Sequence, residues 1–130
     1  MVISMNGLIL CTKECNLRCT YCFEESMHAG CMPTLAEIRQ NFSEFLSTGK
    51  FEKFVIELIT INRDLGRDTD ITFHGGEPML IGTDLLRKAF EIVKNYDGTS
   101  ISMQSNGTLI NDEMVELLKK YHVRVGISID

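Results

Sequence analysis

The sequence predicts an α/β fold in which strands and helices alternate in the order β-α-β-α-β-α-β around a parallel sheet. Three observations predict it. Short apolar runs of strand length end at loops with glycine, cysteine or asparagine, apolar stripes of helical spacing lie between them, and no repeat or linker interrupts the order. Helical crossovers make neighbouring strands parallel, and their right-handed sense places the helices on one side of the sheet.

The first half of the chain supplies one strand and two helical segments. Gly7–Cys11 is an uninterrupted apolar run, which is typical of strands buried on both faces. After a cysteine-bearing loop, Thr34 and Glu37 form the pattern of a capping box, which predicts the start of a helix. Gly49 interrupts that helix, and Phe51–Asn62 continues as a second helical segment.

The second half supplies three strands with a helix between each pair. The predicted strands are Asp70–His74, Ser100–Gln104 and Val123–Asp130. The two helices are predicted to begin at Thr83 or Asp84 and at Asn111 or Asp112. Their apolar positions recur with helical spacing, so each helix has one face for the core.

Length and composition describe one domain or part of one. The chain has 130 residues, 44% of them hydrophobic, which is enough to form a core. Its net charge is −5 and it has no basic tract, so nucleic acid is not an expected partner. No apolar stretch is long enough to span a bilayer, and the N-terminus lacks the features of a secretory signal. We therefore expect a cytoplasmic protein without membrane association.

Five cysteines lie close together near the N-terminus. In a reducing cytosol such a group indicates metal binding or catalysis and not disulfides. Cys15, Cys19 and Cys22 are spaced by four and three residues, which favours an iron–sulfur cluster. Three ligands for a four-iron cluster leave one iron without a protein ligand. Because Cys11 or Cys31 could supply a fourth, the residues alone leave this point open.

Two other interpretations of the three thiols also stay open. A structural zinc site uses similar ligands, although it usually has paired Cys-x-x-Cys units or a nearby histidine, and only His28 is close. Buried cysteines can act as small core residues, but Lys13, Glu14, Asn16 and Arg18 make a poor core setting. The spacing favours the cluster over zinc, and zinc over a core role.

Two further segments each follow a predicted strand, and a third lies in or at the end of the fourth predicted strand. They are Gly75–Pro78, Ser105–Thr108 and Ser128–Asp130. In a parallel α/β barrel the ligand site lies at the carboxyl ends of the strands, so we expect these segments and the cysteine loop at one rim. Gly75 and Gly76 let backbone carbonyls approach a ligand closely, and Glu77 offers a negative charge to an ammonium group.

The cysteine spacing, with Tyr21 directly before the last cysteine, resembles the signature of the radical S-adenosylmethionine (SAM) enzymes. The segment Cys-Asn-Leu-Arg-Cys-Thr-Tyr-Cys-Phe is similar to that of the peptide- and protein-modifying, sulfatase-maturase-like subgroup, which often carries a C-terminal SPASM cluster domain. Phe73–Pro78, Met103–Thr108 and Val125–Asp130 resemble later segments of the family, in the family's order. The resemblance runs over essentially the whole chain.

The resemblance implies a role for each segment. The implied ligands of a [4Fe-4S] cluster are Cys15, Cys19 and Cys22. The implied SAM-binding residues are Tyr21, Gly75, Gly76, Glu77, Pro78, Ser105, Asn106 and Ser128. Among these, the Gly-Gly-Glu-Pro segment would hold the amino group of the cofactor, Tyr21 would lie near the adenine, and Ser128 would face the ribose. Ser105 and Asn106 would bind ribose hydroxyls or substrate. Asp130 would face the substrate cavity and is the one candidate for a catalytic side chain.

The implied activity is that of a radical SAM oxidoreductase. An electron from a ferredoxin- or flavodoxin-type donor would cleave SAM to methionine and a 5′-deoxyadenosyl radical, which would modify a peptide or protein. The family's barrel normally has six β/α units, whereas this chain ends on its fourth strand, so we expect residues 1–130 to be the N-terminal portion of an incomplete barrel. We expect it to be inactive alone and to self-associate through the unpaired strand Val123–Ile129. A non-catalytic zinc- or cluster-binding interaction module is the rival hypothesis.

Overall fold

A computed structural model describes residues 6–17, 19 and 33–129 of the chain. The strands are β1 (Gly7–Leu10), β2 (Thr69–His74), β3 (Thr99–Ser105) and β4 (Arg124–Ile127). The helices are α1 (Leu35–Ser47), α2 (Lys50–Asp64), α3 (Thr83–Lys94) and α4 (Asp112–Lys120), with a short 3-10 helix at Pro78–Ile81. Over this part of the chain, no helix has the length and apolar character needed to cross a membrane.

The four strands form one parallel sheet in the order β1-β2-β3-β4. Ile9 is in register with Phe73, Phe73 with Met103, and Met103 with Val125. The predicted α/β class, the order of elements and the parallel pairing are therefore confirmed. Because the strands are parallel, their carboxyl ends all lie at the same edge of the sheet.

Local sequence signals set the helix boundaries as expected. In the capping box before α1, the Glu37 N–H donates to Thr34 Oγ1 at 3.2 Å and the Thr34 N–H donates to Glu37 Oε2 at 2.6 Å. Gly49 separates α1 from α2 with a φ of 76°, a conformation that favours glycine. The side chain of Asn111 caps α4 by accepting from the Met114 N–H.

One face of the sheet forms a single core with all four helices. The strand residues in this core are Ile9, Ile71, Phe73, Ile101 and Met103. A chain of aromatic rings crosses it, with neighbouring centroids 5.2 to 6.2 Å apart. These rings are Phe42, Phe45, Phe51, Phe73, Phe90 and Tyr121. The helices of the described residues therefore cover one face of the sheet, which agrees with right-handed crossovers.

The prediction that the first strand is buried on both faces is wrong. Ile9 is buried, but Leu8 and Leu10 on the opposite face are each 56% exposed. An apolar run does not reveal its covering layers, and no helix among the described residues covers this second face. β4 is also shorter than predicted: it begins at Arg124 and ends at Ile127.

Candidate functional site

The cysteine loop is fastened by its backbone to the glycine-rich segment that follows β2. The Cys11 N–H donates to the His74 carbonyl at 2.9 Å, which extends the β1–β2 pairing by one residue. Beyond the strands, the Gly76 N–H donates to the Thr12 carbonyl at 2.8 Å. The two segments that were predicted to share a rim are thus joined by main-chain hydrogen bonds.

The two glycines are required by the closeness of the cysteine loop. A Cβ added to Gly75 would meet the carbonyl oxygen of Thr12, and one added to Gly76 would meet that of Glu14. Gly75 also has a φ of 134°, which L side chains rarely adopt. In this structure the glycines therefore allow a close approach of the protein's own cysteine loop, and the predicted close approach to a ligand stays a prediction.

The carboxylate of Glu77 is completely buried and joins this segment to the end of β3. Its Oε1 accepts from the Met79 N–H at 3.1 Å and from Ser105 Oγ at 2.9 Å. Its Oε2 accepts from the Asn106 N–H at 2.8 Å. Three donors offset the cost of burying this charge. The predicted contact of Glu77 with an ammonium group stays a prediction.

The third segment reaches back to the cysteine loop through side chains. Asn106 Nδ2 donates to Cys15 Sγ at 3.5 Å and to Asn16 Oδ1 at 2.9 Å. Asn16 Nδ2 in turn donates to Thr108 Oγ1 at 2.7 Å. These contacts bridge residues about 90 positions apart in the chain. The loops after β1, β2 and β3 therefore form one connected rim.

The candidate metal ligands are only partly within the described residues. Cys15 and Cys19 have free, partly exposed thiols, and Cys15 Sγ accepts from the Leu17 N–H at 3.4 Å. Cys22 and Tyr21 lie outside the described residues, as does Cys31. Over residues 6–17, 19 and 33–129, no three His, Cys, Asp or Glu side chains form a group that could hold a metal ion.

Cys11 is a core residue. It is buried beside Ile9 on the helix-covered face, and its thiol donates to the Ile9 carbonyl at 3.9 Å. Burial raises the pKa of the Cys11 thiol far above its ordinary value. Its side chain is packed in the core, whereas the thiols of Cys15 and Cys19 are partly exposed. The structure therefore argues against Cys11 as the fourth ligand.

Ser128 lies just beyond β4, at the same end of the sheet as the other segments. Its N–H donates to the Ser105 carbonyl at 2.9 Å, and its Oγ accepts from Gln104 Nε2 at 3.0 Å. The side chain is exposed. Asp130 lies outside the described residues.

Sequence reasoning missed a polar cluster on the uncovered face of the sheet, near its amino-terminal end. Asp70 Oδ1 accepts from Ser100 Oγ at 2.7 Å, from Ser102 Oγ at 3.1 Å and from Arg124 Nη2 at 2.8 Å. Its Oδ2 accepts from Thr72 Oγ1 at 3.0 Å. The alternation of small polar residues along two neighbouring strands was the signal that could have revealed it.

The donor set at the rim fits an iron–sulfur cluster. Cys15 and Cys19 are free, partly exposed thiols, and Cys15 at the rim already accepts N–H donors of the kind that stabilise cluster sulfurs. Ligand residues of this type suit iron and zinc, whereas magnesium and calcium prefer oxygen ligands.

Comparison with known proteins gives a consistent result. Residues 9–130 match the family described as the radical SAM superfamily. The chain is 34% identical over 125 residues to a cysteine-type anaerobic sulfatase-maturating enzyme of Clostridium novyi, covering 92% of this chain and 30% of the relative. It is 33% identical over 119 residues to a serine-type anaerobic sulfatase-maturating enzyme of Bacteroides thetaiotaomicron, covering 89% and 27%.

Solved structures give the same match in three dimensions. One is described as histidine-tagged anSMEcpe with bound AdoMet, with a TM-score of 0.69, 28% identity, and coverage of 97% of this chain and 32% of that one. Another is native anSMEcpe with bound AdoMet and Kp18Cys peptide, with a TM-score of 0.69, 29% identity, and coverage of 96% and 32%. The predicted partial (β/α) barrel is confirmed, and the chain spans about a third of the length of these relatives.

Proposed function

Because the chain belongs to the radical SAM superfamily, we propose that it carries the cluster- and SAM-binding portion of a radical SAM enzyme that modifies peptides or proteins. One observation supports this most directly. The cysteine loop is fastened to the Gly-Gly-Glu segment by the Gly76–Thr12 hydrogen bond and by a 2.8 Å bond from the Glu77 N–H to the Glu14 carbonyl. The described part of the cysteine loop, which contains Cys15, therefore lies next to the predicted cofactor-binding segment.

In this proposal Cys15, Cys19 and Cys22 hold a [4Fe-4S] cluster, and the segments around it hold SAM. When bound, these groups supply the one-electron cleavage of SAM to methionine and a 5′-deoxyadenosyl radical. The protein supplies placement: the thiolates hold iron, and the rigid rim fixes where the cofactor lies. Ser128 is exposed and its hydroxyl proton remains available, which supports its assignment to the ribose.

The proposed substrate is a peptide or protein, with Asp130 facing it. This follows the relatives, which are named as sulfatase-maturating enzymes of cysteine and serine type, and a related structure that holds a peptide. We propose a ferredoxin- or flavodoxin-type protein as the electron donor, because the cluster takes electrons singly, and the cytoplasm as the location.

The metal content of the purified chain tests this function. After anaerobic reconstitution we expect about four irons and four acid-labile sulfides per chain, since three thiolates at this spacing suit a four-iron cluster. Cys15→Ala should abolish the brown chromophore, whereas the matched control Cys31→Ala should keep most of it. One zinc per chain without iron would instead support an interaction module, and equal loss in both variants would contradict the ligand assignment.

A second prediction concerns the chain by itself. We expect no robust formation of 5′-deoxyadenosine by the loaded 130-residue chain with SAM and dithionite, because it spans about a third of the length of its relatives.

We also expect the chain to self-associate. Among the described strands β4 pairs with β3 alone, and an apolar cleft of about 570 Å³ beside it is lined by Ile110, Leu118, Val125 and Ile127, among others.

Sedimentation velocity and product analysis check these two expectations separately. Ile127→Lys places a charge in the cleft and should shift the chain towards the monomer. A monomeric wild-type chain would contradict the self-association, and robust 5′-deoxyadenosine would contradict the inactivity while supporting the enzyme assignment.

A further inference from the structure

The side-chain amide of Asn106 has its full set of hydrogen bonds within the protein. Its Oδ1 accepts from the Thr108 N–H at 3.0 Å and from Thr108 Oγ1 at 2.7 Å. Its Nδ2 donates to Cys15 Sγ at 3.5 Å and to Asn16 Oδ1 at 2.9 Å. An asparagine amide has two donor hydrogens and two acceptor lone pairs, so none is left for a ribose hydroxyl.

The orientation of this amide follows from its partners. The backbone N–H of Thr108 can only donate, so the atom that faces it must be Oδ1. Nδ2 then necessarily faces Cys15. The hydrogen bond to sulfur is therefore fixed by the turn after β3 and does not depend on a free choice of amide rotamer.

The backbone of Asn106 is held as firmly as its side chain. Its N–H donates to the fully buried carboxylate of Glu77 at 2.8 Å, and the neighbouring Ser105 Oγ donates to the same carboxylate at 2.9 Å. The Gly107 N–H donates to Ser105 Oγ at 3.0 Å. Glu77 thus holds the backbone of the turn after β3, and this turn places the Asn106 amide against Cys15.

We propose that Asn106 is a positioning residue for the cluster, whose amide holds Cys15 and raises the reduction potential of the bound cluster. The proposal rests on the proposed function, in which Cys15 is a cluster ligand. Reduction adds one electron, and so one negative charge, to the cluster and its thiolates. An N–H donor to a ligand sulfur stabilises this more negative form, and hydrogen bonds to sulfur are among the factors that set cluster potentials.

The test compares midpoint potentials of the reconstituted chain, measured by dithionite titration with electron paramagnetic resonance detection. Asn106→Ala should shift the midpoint to a more negative potential by about 59 mV, which is a tenfold change for a one-electron couple. Asn106→Asp should shift it further, because it removes the N–H donors and adds a charge. The matched control Asn95→Asp adds the same charge at the exposed end of α3 and should leave the potential near that of the wild type.

A second measurement needs no variant. With ¹⁵N in the asparagine side-chain amides of the wild-type chain, electron–nuclear double resonance of the reduced cluster should show a ¹⁵N coupling. Absence of that coupling, or a potential in Asn106→Ala equal to that of the wild type, would overturn the role of Asn106. A wild-type chain that binds no iron would instead overturn the proposed function.

Discussion

The same four strands supply both faces of the sheet, but helices of the described residues cover only one of them. On the helix-covered face Ile9, Ile71 and Phe73 are buried in a core crossed by aromatic rings. On the other face the neighbouring position Asp70 collects four hydrogen bonds, while Leu8 is 56% exposed. Since strand side chains alternate, one strand supplies both environments.

The difference between the faces shows that the helix-covered face stabilises the fold, whereas the other face exposes side chains that the described helices do not cover. The apolar face supplies the area removed from water that stabilises the domain. The polar face is the one that no helix of the described residues covers, and its hydrogen bonds tie β2, β3 and β4 to one another. Stability should therefore respond strongly to substitutions on the first face and more weakly on the second.

The largest effect is expected from a pair of neighbouring residues in β1. Ile9→Ala should lower the free energy of unfolding by about 2–5 kcal/mol, because it leaves a cavity among packed side chains. Leu8→Ala, one residue away on the uncovered face, should change it by about 0.5 kcal/mol or less. Urea unfolding followed by circular dichroism measures both. Equal losses would show that the second face is covered in solution.

The sequence was sufficient to predict the order of elements, the helix caps and the helix-covered core. These depend on periodicity and on short patterns such as Thr34–Glu37, which act within one or two turns of chain. It was also sufficient to predict that the loops after β1, β2 and β3 meet at one rim, because parallel strands align their carboxyl ends.

The contacts between these loops were beyond prediction because they join residues far apart in the chain. Nothing near Gly76 indicates that its neighbour is the Glu14 carbonyl, and nothing near Glu77 indicates that its carboxylate is buried under Asn106. The apolar run at Leu8 likewise predicts a strand without indicating which layers cover it. Local sequence specifies elements, whereas packing between them decides what each side chain contacts.

The smaller expected effect comes from the polar face. Asp70 is 15% exposed and is paired with Arg124 at 2.8 Å. Asp70→Asn should lower the free energy of unfolding at neutral pH by about 1–2 kcal/mol, since it weakens hydrogen bonds made to a charged acceptor. The matched control is Asp84→Asn, an 86% exposed residue paired with Arg87 on α3, which should cost about 0.5 kcal/mol or less.

The loss of stability in Asp70→Asn should also depend on pH, and this dependence tests whether the charge of the Asp70 carboxylate causes the loss. Burial raises the pKa of Asp70, but the four hydrogen bonds together outweigh burial and hold that pKa below its ordinary value of 3.8. A carboxyl whose pKa is lowered by folding contributes stability above its unfolded pKa and loses it as the pH falls through the folded pKa. The stability difference between wild type and Asp70→Asn should therefore be constant above about pH 5 and shrink below about pH 3.8. Urea titrations across this range measure it, and a difference that stays constant at low pH would mean that Asp70 contributes by packing and not by its charge.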